Sequence, residues 1–160
     1  MRHLEYRKLN EIEPKKLLSL LNKKTTRQHL VDHAPFNPES IAEWINSKVD
    51  TDFRHGCRVR AITIDKQLAG WCGIQLEGQN YEIAIVIEDI YWGLGRPVFF
   101  EMMSWAKELG HTIIHIHLLN TRPEYNFLKK IAKKVYQSDI LGGKFTTYEI
   151  EVGQGGLKVG

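Results

Sequence analysis

Five consecutive apolar residues, Ile83, Ala84, Ile85, Val86 and Ile87, lie in the middle of the chain. The run is strand-length, and successive side chains of a strand point to opposite faces. A strand that is apolar at every position points to burial on both faces, as in a sheet with helices above and below. The surrounding pattern supplies the rest of such a sheet. Val59, Ala61 and Thr63 alternate with polar neighbours, Asp65-Lys66-Gln67 reads as a turn, and 68–76 returns as a second strand with Gly70 and Gly73 inside it. Interior glycines mark a bulge or a close backbone approach. Gly78-Gln79-Asn80 is the next turn, so the apolar run is the third strand of an antiparallel meander.

Helical signals flank this block. Pro14 opens a pattern with Leu17, Leu18, Leu20 and Leu21 on one side. Asn37 and Pro38 are a cap and first-turn pair ahead of Ile41, Trp44, Ile45 and Val49;. Residues 25–36 between them are polar and expected to be partly helical. After the apolar run, a helix is predicted from about Val98 to Leu109, with Phe99, Met102, Met103 and Ala106 in its stripe and Gly110 as its stop;. A strand over 113–119 follows. Then comes a helix opened by Pro123, with Leu128, Ile131, Ala132 and Val135 at helical spacing, and a terminal hairpin over 135–152 turning at Gly142-Gly143. A short edge strand over 4–9 completes the order: strand, two helices, three strands, helix, strand, helix, two strands. The expectation is one mixed α/β (α+β) domain over 1–152, with six or seven strands, mostly antiparallel, and about four helices. Residues 153–160, half of them glycine, read as a flexible tail;.

Charge and composition narrow the function classes. Lys and Arg number 22 against 19 Asp and Glu, a net charge of +3 that is too small to indicate a nucleic-acid binder;. No stretch of ~18 apolar residues exists to span a membrane. The first ten residues carry four basic side chains, counting His3, and no apolar core, so no secretory signal is expected there;. Two cysteines, Cys57 and Cys72, make no disulfide framework and fit a reducing, cytoplasmic setting;. His29 and His33 are spaced i, i+4 but lack a third ligand. His115 and His117 share a strand face, where hydrogen-bonded or substrate-side histidines are the favoured reading;. No metal is expected.

The sharpest motif is Trp92-Gly93-Leu94-Gly95-Arg96 between the apolar strand and the next helix. A helix N-terminus offers free N–H groups and partial positive charge, the glycines allow close approach, and Arg96 adds a full charge. A pyrophosphate suits that arrangement. A Rossmann fingerprint would need a third glycine where Val98 stands, and a P-loop would need Lys followed by Ser or Thr;. Neither is present.

The segment from Tyr81-Glu82 through Glu88-Asp89-Ile90-Tyr91-Trp92-Gly93-Leu94-Gly95 resembles the fourth strand and acyl-CoA pyrophosphate loop of the GNAT superfamily of N-acetyltransferases. The element order over 4–152 resembles that family too. Asn120-Thr121 through Phe127-Leu128-Lys129-Lys130 is similar to its region after the fifth strand. The resemblance implies the GNAT fold, acetyl-CoA as acetyl donor, and an amine-bearing small molecule or protein as acceptor. It also allows a homodimer. For the cofactor it implies Ile85, Val86 and Ile87 as backbone partners, and Trp92, Gly93, Leu94, Gly95, Arg96, Val98, Asn120 and Lys129 around the nucleotide half. Glu82, eleven residues before Gly93, is the first candidate base, with Glu88 and Asp89 as alternatives; Tyr125 is the candidate acid;.

The sequence departs from the family pattern at three places. Ile90 stands where Gln or Arg is frequent, Pro97 removes one first-turn amide, and Phe127-Leu128 occupies the usual position of the acid tyrosine;. These departures motivate an alternative: an acyl-CoA-binding or structural protein on the same fold that catalyses nothing.

Overall fold

A computed structural model describes residues 3–27, 34–91, 93–119, 126–140 and 142–153. Its strands are β1 (Leu4–Arg7), β2 (Arg58–Ile64), β3 (Gln67–Glu77), β4 (Asn80–Ile87), β5 (Ile113–Leu119), β6 (Ala132–Ile140) and β7 (Gly143–Glu151). They form one sheet in the order β1-β2-β3-β4-β5-β7-β6. Every pairing is antiparallel except β4 with β5. The helices are α1 (Pro14–Asn22), the single turn α2 (Lys24–Arg27), α3 (Pro38–Asp52), α4 (Gly95–Glu108) and the short α5 (Asn126–Ile131).

β4 has cover on both faces, as its composition requires. Ile83 belongs to one core with Val98, Phe99, Met102, Met103 and Ala106 of α4, and Ile85 and Ile87 pack against that core. Val86 belongs to a second core with Leu17 and Leu21 of α1 and Ile41 and Ile45 of α3, and Ala84 packs there. Odd residues of β4 thus face α4 and even residues face α1 and α3. Burying such side chains contributes roughly 1.5–3 kcal/mol each, so the two-sided burial fixes this strand at the centre.

Local chemistry explains the element ends. Asn37 accepts a hydrogen bond from the Ser40 N–H at 2.8 Å while its own N–H donates to Ser40 Oγ at 2.9 Å, a reciprocal cap on α3;. Asp65 and Lys66 take φ of 48° and 69°, the left-handed pair that a two-residue hairpin needs;. α4 begins at Gly95, one turn before the sequence expectation. The helix expected to run through Val135 ends instead at Ile131, and β6 begins at Ala132. Pairing of Ala132 with Ile150 and of Val135 with Tyr148 overrides the helical spacing, and Val135 is 42% exposed, so its place in the apolar pattern did not mark a core face. Lys133 and Lys134 consequently lie on a strand, separated from Lys129 and Lys130 on α5. Of the 25–36 stretch, α2 is helical to Arg27 and residues 28–33, including His29 and His33, lie outside the described residues.

Candidate active site

The parallel pairing of β4 with β5 consists of Glu82 with His115 and Ile83 with Ile116. Beyond Ile83 the two strands continue without pairing each other. β4 stays paired with β3 as far as Ile87, and β5 stays paired with β7 as far as Leu119. The sheet therefore opens along a V with its apex at Ile83 and Ile116. The Glu88 N–H donates to the Ala69 carbonyl at 2.8 Å, which sets the phase of β4. Even-numbered amides, Val86 among them, turn to β3, and odd-numbered ones turn to β5. The amides of Ile85 and Ile87 accordingly face the open side of the V. An unpaired strand edge of this kind is a ready donor to a carbonyl.

Just past the open end of β4 lies the glycine segment. Gly93 has φ +98°, a conformation that favours glycine;. The Leu94 N–H donates to the Tyr91 carbonyl at 3.2 Å. The Val98 N–H donates to the Leu94 carbonyl at 3.0 Å, and Val98 itself is fully buried. Among the four first-turn positions, Pro97 has no N–H, so the Gly95 and Arg96 amides are those without a partner inside α4;. Among the described residues, a Cβ added at Gly95 would meet nothing within 4 Å. Room at Gly95 beside the helix-end amides fits a polyphosphate held there. The Arg96 guanidinium lies over Phe127 at 5.1 Å and Phe100 at 5.9 Å, so contact with aromatic rings of α5 and α4 orients it there;.

The polar groups gather at the apex of the V, on the α1 and α3 face. Glu82 Oε1 accepts from Gln75 Nε2 at 3.0 Å, and Gln75 Oε1 in turn accepts from Lys48 Nζ at 2.8 Å. Lys48 lies over the Trp71 ring at 4.8 Å. Glu82 Oε2 is 3.5 Å from His117 Nε2. Glu77 completes a set in which one ligand atom of each of Glu77, Glu82 and His117 lies within 4.8 Å of the others, close enough to converge on one small cation. Burial pushes the Glu82 carboxyl above its ordinary range, partly offset by the Gln75 hydrogen bond;. Burial likewise pushes the His117 imidazole and the Lys48 amine down.

The sequence-derived candidates fall in different places. Glu82, Ile85, Ile87, Gly93, Leu94, Gly95 and Arg96 line the V or its open end. Glu88 is paired with Lys23 from the end of α1, and Asp89 lies 4.0 Å from the same lysine. Lys129 is an exposed residue of α5. Trp92, Asn120 and Tyr125 lie outside the described residues. Gln75 and Glu77 were not among the named candidates. His117 carried a signal, since it shares a strand face with His115, but only the β4–β5 register brings it to Glu82. Among the described residues, no helix is long and apolar enough to cross a membrane.

No family model matches this sequence, and no curated protein does either. Solved structures do. An acetyltransferase that modifies the N-terminal serine of ribosomal protein L7/L12 from Salmonella typhimurium superposes with a TM-score of 0.71 at 14% identity, over 95% of each chain. The PaiA N-acetyltransferase from Thermoplasma acidophilum, solved in complex with coenzyme A, gives 0.59 at 14% identity, over 94% of this chain and 99% of that one. A probable acetyltransferase of the GNAT family from Chromobacterium violaceum gives 0.66 at 13%, over 94% of this chain and 87% of that one. With the opened β4–β5 pair and the glycine-bounded helix start already in place, these superpositions establish that the chain has the GNAT acetyltransferase fold.

Proposed function

We propose that this chain is an acetyl-CoA-dependent N-acetyltransferase that passes the acetyl group directly to an amine within a ternary complex. The observation that carries the proposal is the V beyond Ile83 and Ile116, where β4 amides face β5 without pairing it, placed immediately before the glycine-bounded start of α4. Gly95 and Arg96 amides and the Arg96 charge would hold the pyrophosphate. Ile85 and Ile87 amides would receive the thioester carbonyl and stabilise the charge that grows on its oxygen, a role worth roughly 3–4 kcal/mol per donor in comparable sites. Acetyl-CoA supplies the activated acyl group. An amine with a reference pKa of ~10.4 arrives charged and must lose a proton before attack. Glu82 lies three residues before Ile85 on β4, and its raised pKa makes it a stronger base than a solvated carboxylate;. A homodimer is the proposed assembly. Nine-residue β6 forms one edge of the sheet and leaves Val135 and Tyr136 42% and 43% exposed, which favours pairing with a second copy;.

The test is thiol release from acetyl-CoA in the presence of small polyamines, amino-acid amides and short peptides with free N-termini. Amine-dependent release is expected with at least one class, and its absence across the panel would reject the transferase reading. A second reading, acyl-CoA binding without transfer, draws on Pro97, which removes one donor from the helix end. It expects calorimetric binding of acetyl-CoA with no thiol release.

A further inference from the structure

His117 lies one residue beyond the last β4–β5 pair, at the apex of the V. Its Nδ1 is 2.8 Å from Thr147 Oγ1 on β7, and Thr147 is completely buried. Thr147 Oγ1 is in turn 2.8 Å from Ser138 Oγ on the edge strand β6. Two directions of donation satisfy this row;. In one, Ser138 donates to Thr147, Thr147 donates to Nδ1, and the ring proton sits on Nε2, toward Glu82. In the other, His117 Nδ1–H donates to Thr147, the Thr147 hydroxyl donates to Ser138, the half-buried Ser138 hydroxyl is left for solvent, and Nε2 keeps its lone pair beside Glu82;. The 3.5 Å separation from Glu82 Oε2 exceeds the ~2.8 Å of a charge-assisted N–H···O bond, which favours the second direction;.

We infer that His117 Nε2 takes the proton from the incoming amine, with Glu82 as the counter-charge and Thr147 and Ser138 as positioning residues that hold the imidazole in its Nδ1–H form. The inference rests on the N-acetyltransferase reading and refines its base. In the step, an N–H bond of the ammonium breaks and an N–H bond to Nε2 forms. The freed amine pair attacks the acetyl carbon, the C–S bond breaks, and the sulfur leaves as thiolate. The second proton on the new amide nitrogen goes to that thiolate, and the imidazolium later returns its proton to water. Charge and atoms balance: an ammonium and a thioester give an amide, a thiol and one released proton.

The groups around His117 suit this task. Glu82 on β4 and Glu77 on β3 supply negative charge, His115 stacks on it at 6.1 Å, Glu149 on β7 is the register partner of His115, and Lys48 on α3 reaches the cluster through Gln75. Burial lowers the imidazole pKa, the charge of Glu77 opposes that shift, and His115 adds to it, which favours the neutral ring.

Two measurements decide the matter. Imidazole nitrogen NMR of the acceptor-free protein at pH 7 is expected to show His117 neutral with its proton on Nδ1. A proton on Nε2, or an imidazolium, overturns the inference. In turnover with an amine from the panel, His117→Gln is expected to lower kcat/KM at pH 7 by about 100-fold or more. Its log kcat/KM should climb with unit slope through pH 9 as the amine deprotonates in solution, with acetyl-CoA affinity by calorimetry unchanged. Thr147→Val is expected to keep the fold but move the His117 proton to Nε2. A wild-type rate and pH profile in His117→Gln refutes the role of His117 while leaving the transferase reading intact. Absence of turnover by the wild-type chain across the panel rejects both.

Discussion

Gly95 separates ligand contact from folding more cleanly than any other position near the V. It occupies the first position of α4, its φ lies outside the left-handed region, and an added Cβ would meet nothing within 4 Å among the described residues. Folding therefore does not need a glycine there. Gly95→Ala should raise stability by about 0.4–1 kcal/mol, because the unfolded chain loses freedom and the folded chain loses nothing. For a chain of this size that is a Tm increase of roughly 1–4 °C. If a pyrophosphate lies against this backbone, the same methyl group fills its space. Gly95→Glu adds a charge as well. At about 5 Å and an effective dielectric of about 40, a carboxylate repels each unit of phosphate charge by about 1.7 kcal/mol. Two such charges come to ~3 kcal/mol, on the order of 100-fold in Kd. The assay is calorimetric titration of acetyl-CoA into both variants and the wild type, alongside thermal melts. Weaker binding with equal or higher Tm is the expected pair of results. Wild-type affinity in both variants would refute the reasoning, and so would a large loss of stability in Gly95→Ala.

Other positions give contrasting outcomes. Gly93→Ala forces a side chain into φ +98° and should cost about 1–2 kcal/mol in urea unfolding, the opposite sign from Gly95→Ala;. Gly70→Ala would place a Cβ 2.0 Å from the Val86 carbonyl oxygen, a backbone atom that cannot move without breaking β3–β4 pairing; a loss of roughly 3 kcal/mol or more in unfolding free energy, read from denaturant titration, is expected;. His117 is expected to make stability pH-dependent. Its folded-state pKa lies below its unfolded value, so the stability linked to it is complete above pH ~6.5 and is lost as pH falls through the folded pKa;. The wild type should therefore lose more Tm than His117→Gln between pH 7.5 and pH 5, and equal losses would contradict that burial-driven shift.

Much of the fold was legible because its strongest determinants are local. The apolar run at Ile83–Ile87, the Asn37-Pro38 cap and the Asp65-Lys66 turn each act through neighbours in sequence, and each appears where the pattern put it. The pattern of the segment after Leu128 fits two structures. Ala132 and Val135 continue a helical spacing, yet pairing with β7, more than ten residues away, decides the outcome. The site divides in the same way. The proposed phosphate site at Gly93–Arg96 rests on a contiguous motif. The apex cluster does not, since Gln75, Glu82, His117 and Thr147 come from four strands and meet only through register. The role of His117 depends on the 3.5 Å approach of Nε2 to Glu82, a distance that composition and spacing leave undetermined.

The most direct test of the account is a crystal structure of the chain with acetyl-CoA at millimolar concentration. The account predicts the pyrophosphate on the Gly95 and Arg96 amides, the pantetheine arm in the V between β4 and β5, and the thioester oxygen within hydrogen-bond distance of the Ile85 or Ile87 N–H. A structure with the V filled by protein side chains and the ligand elsewhere, or no binding at that concentration, would contradict it.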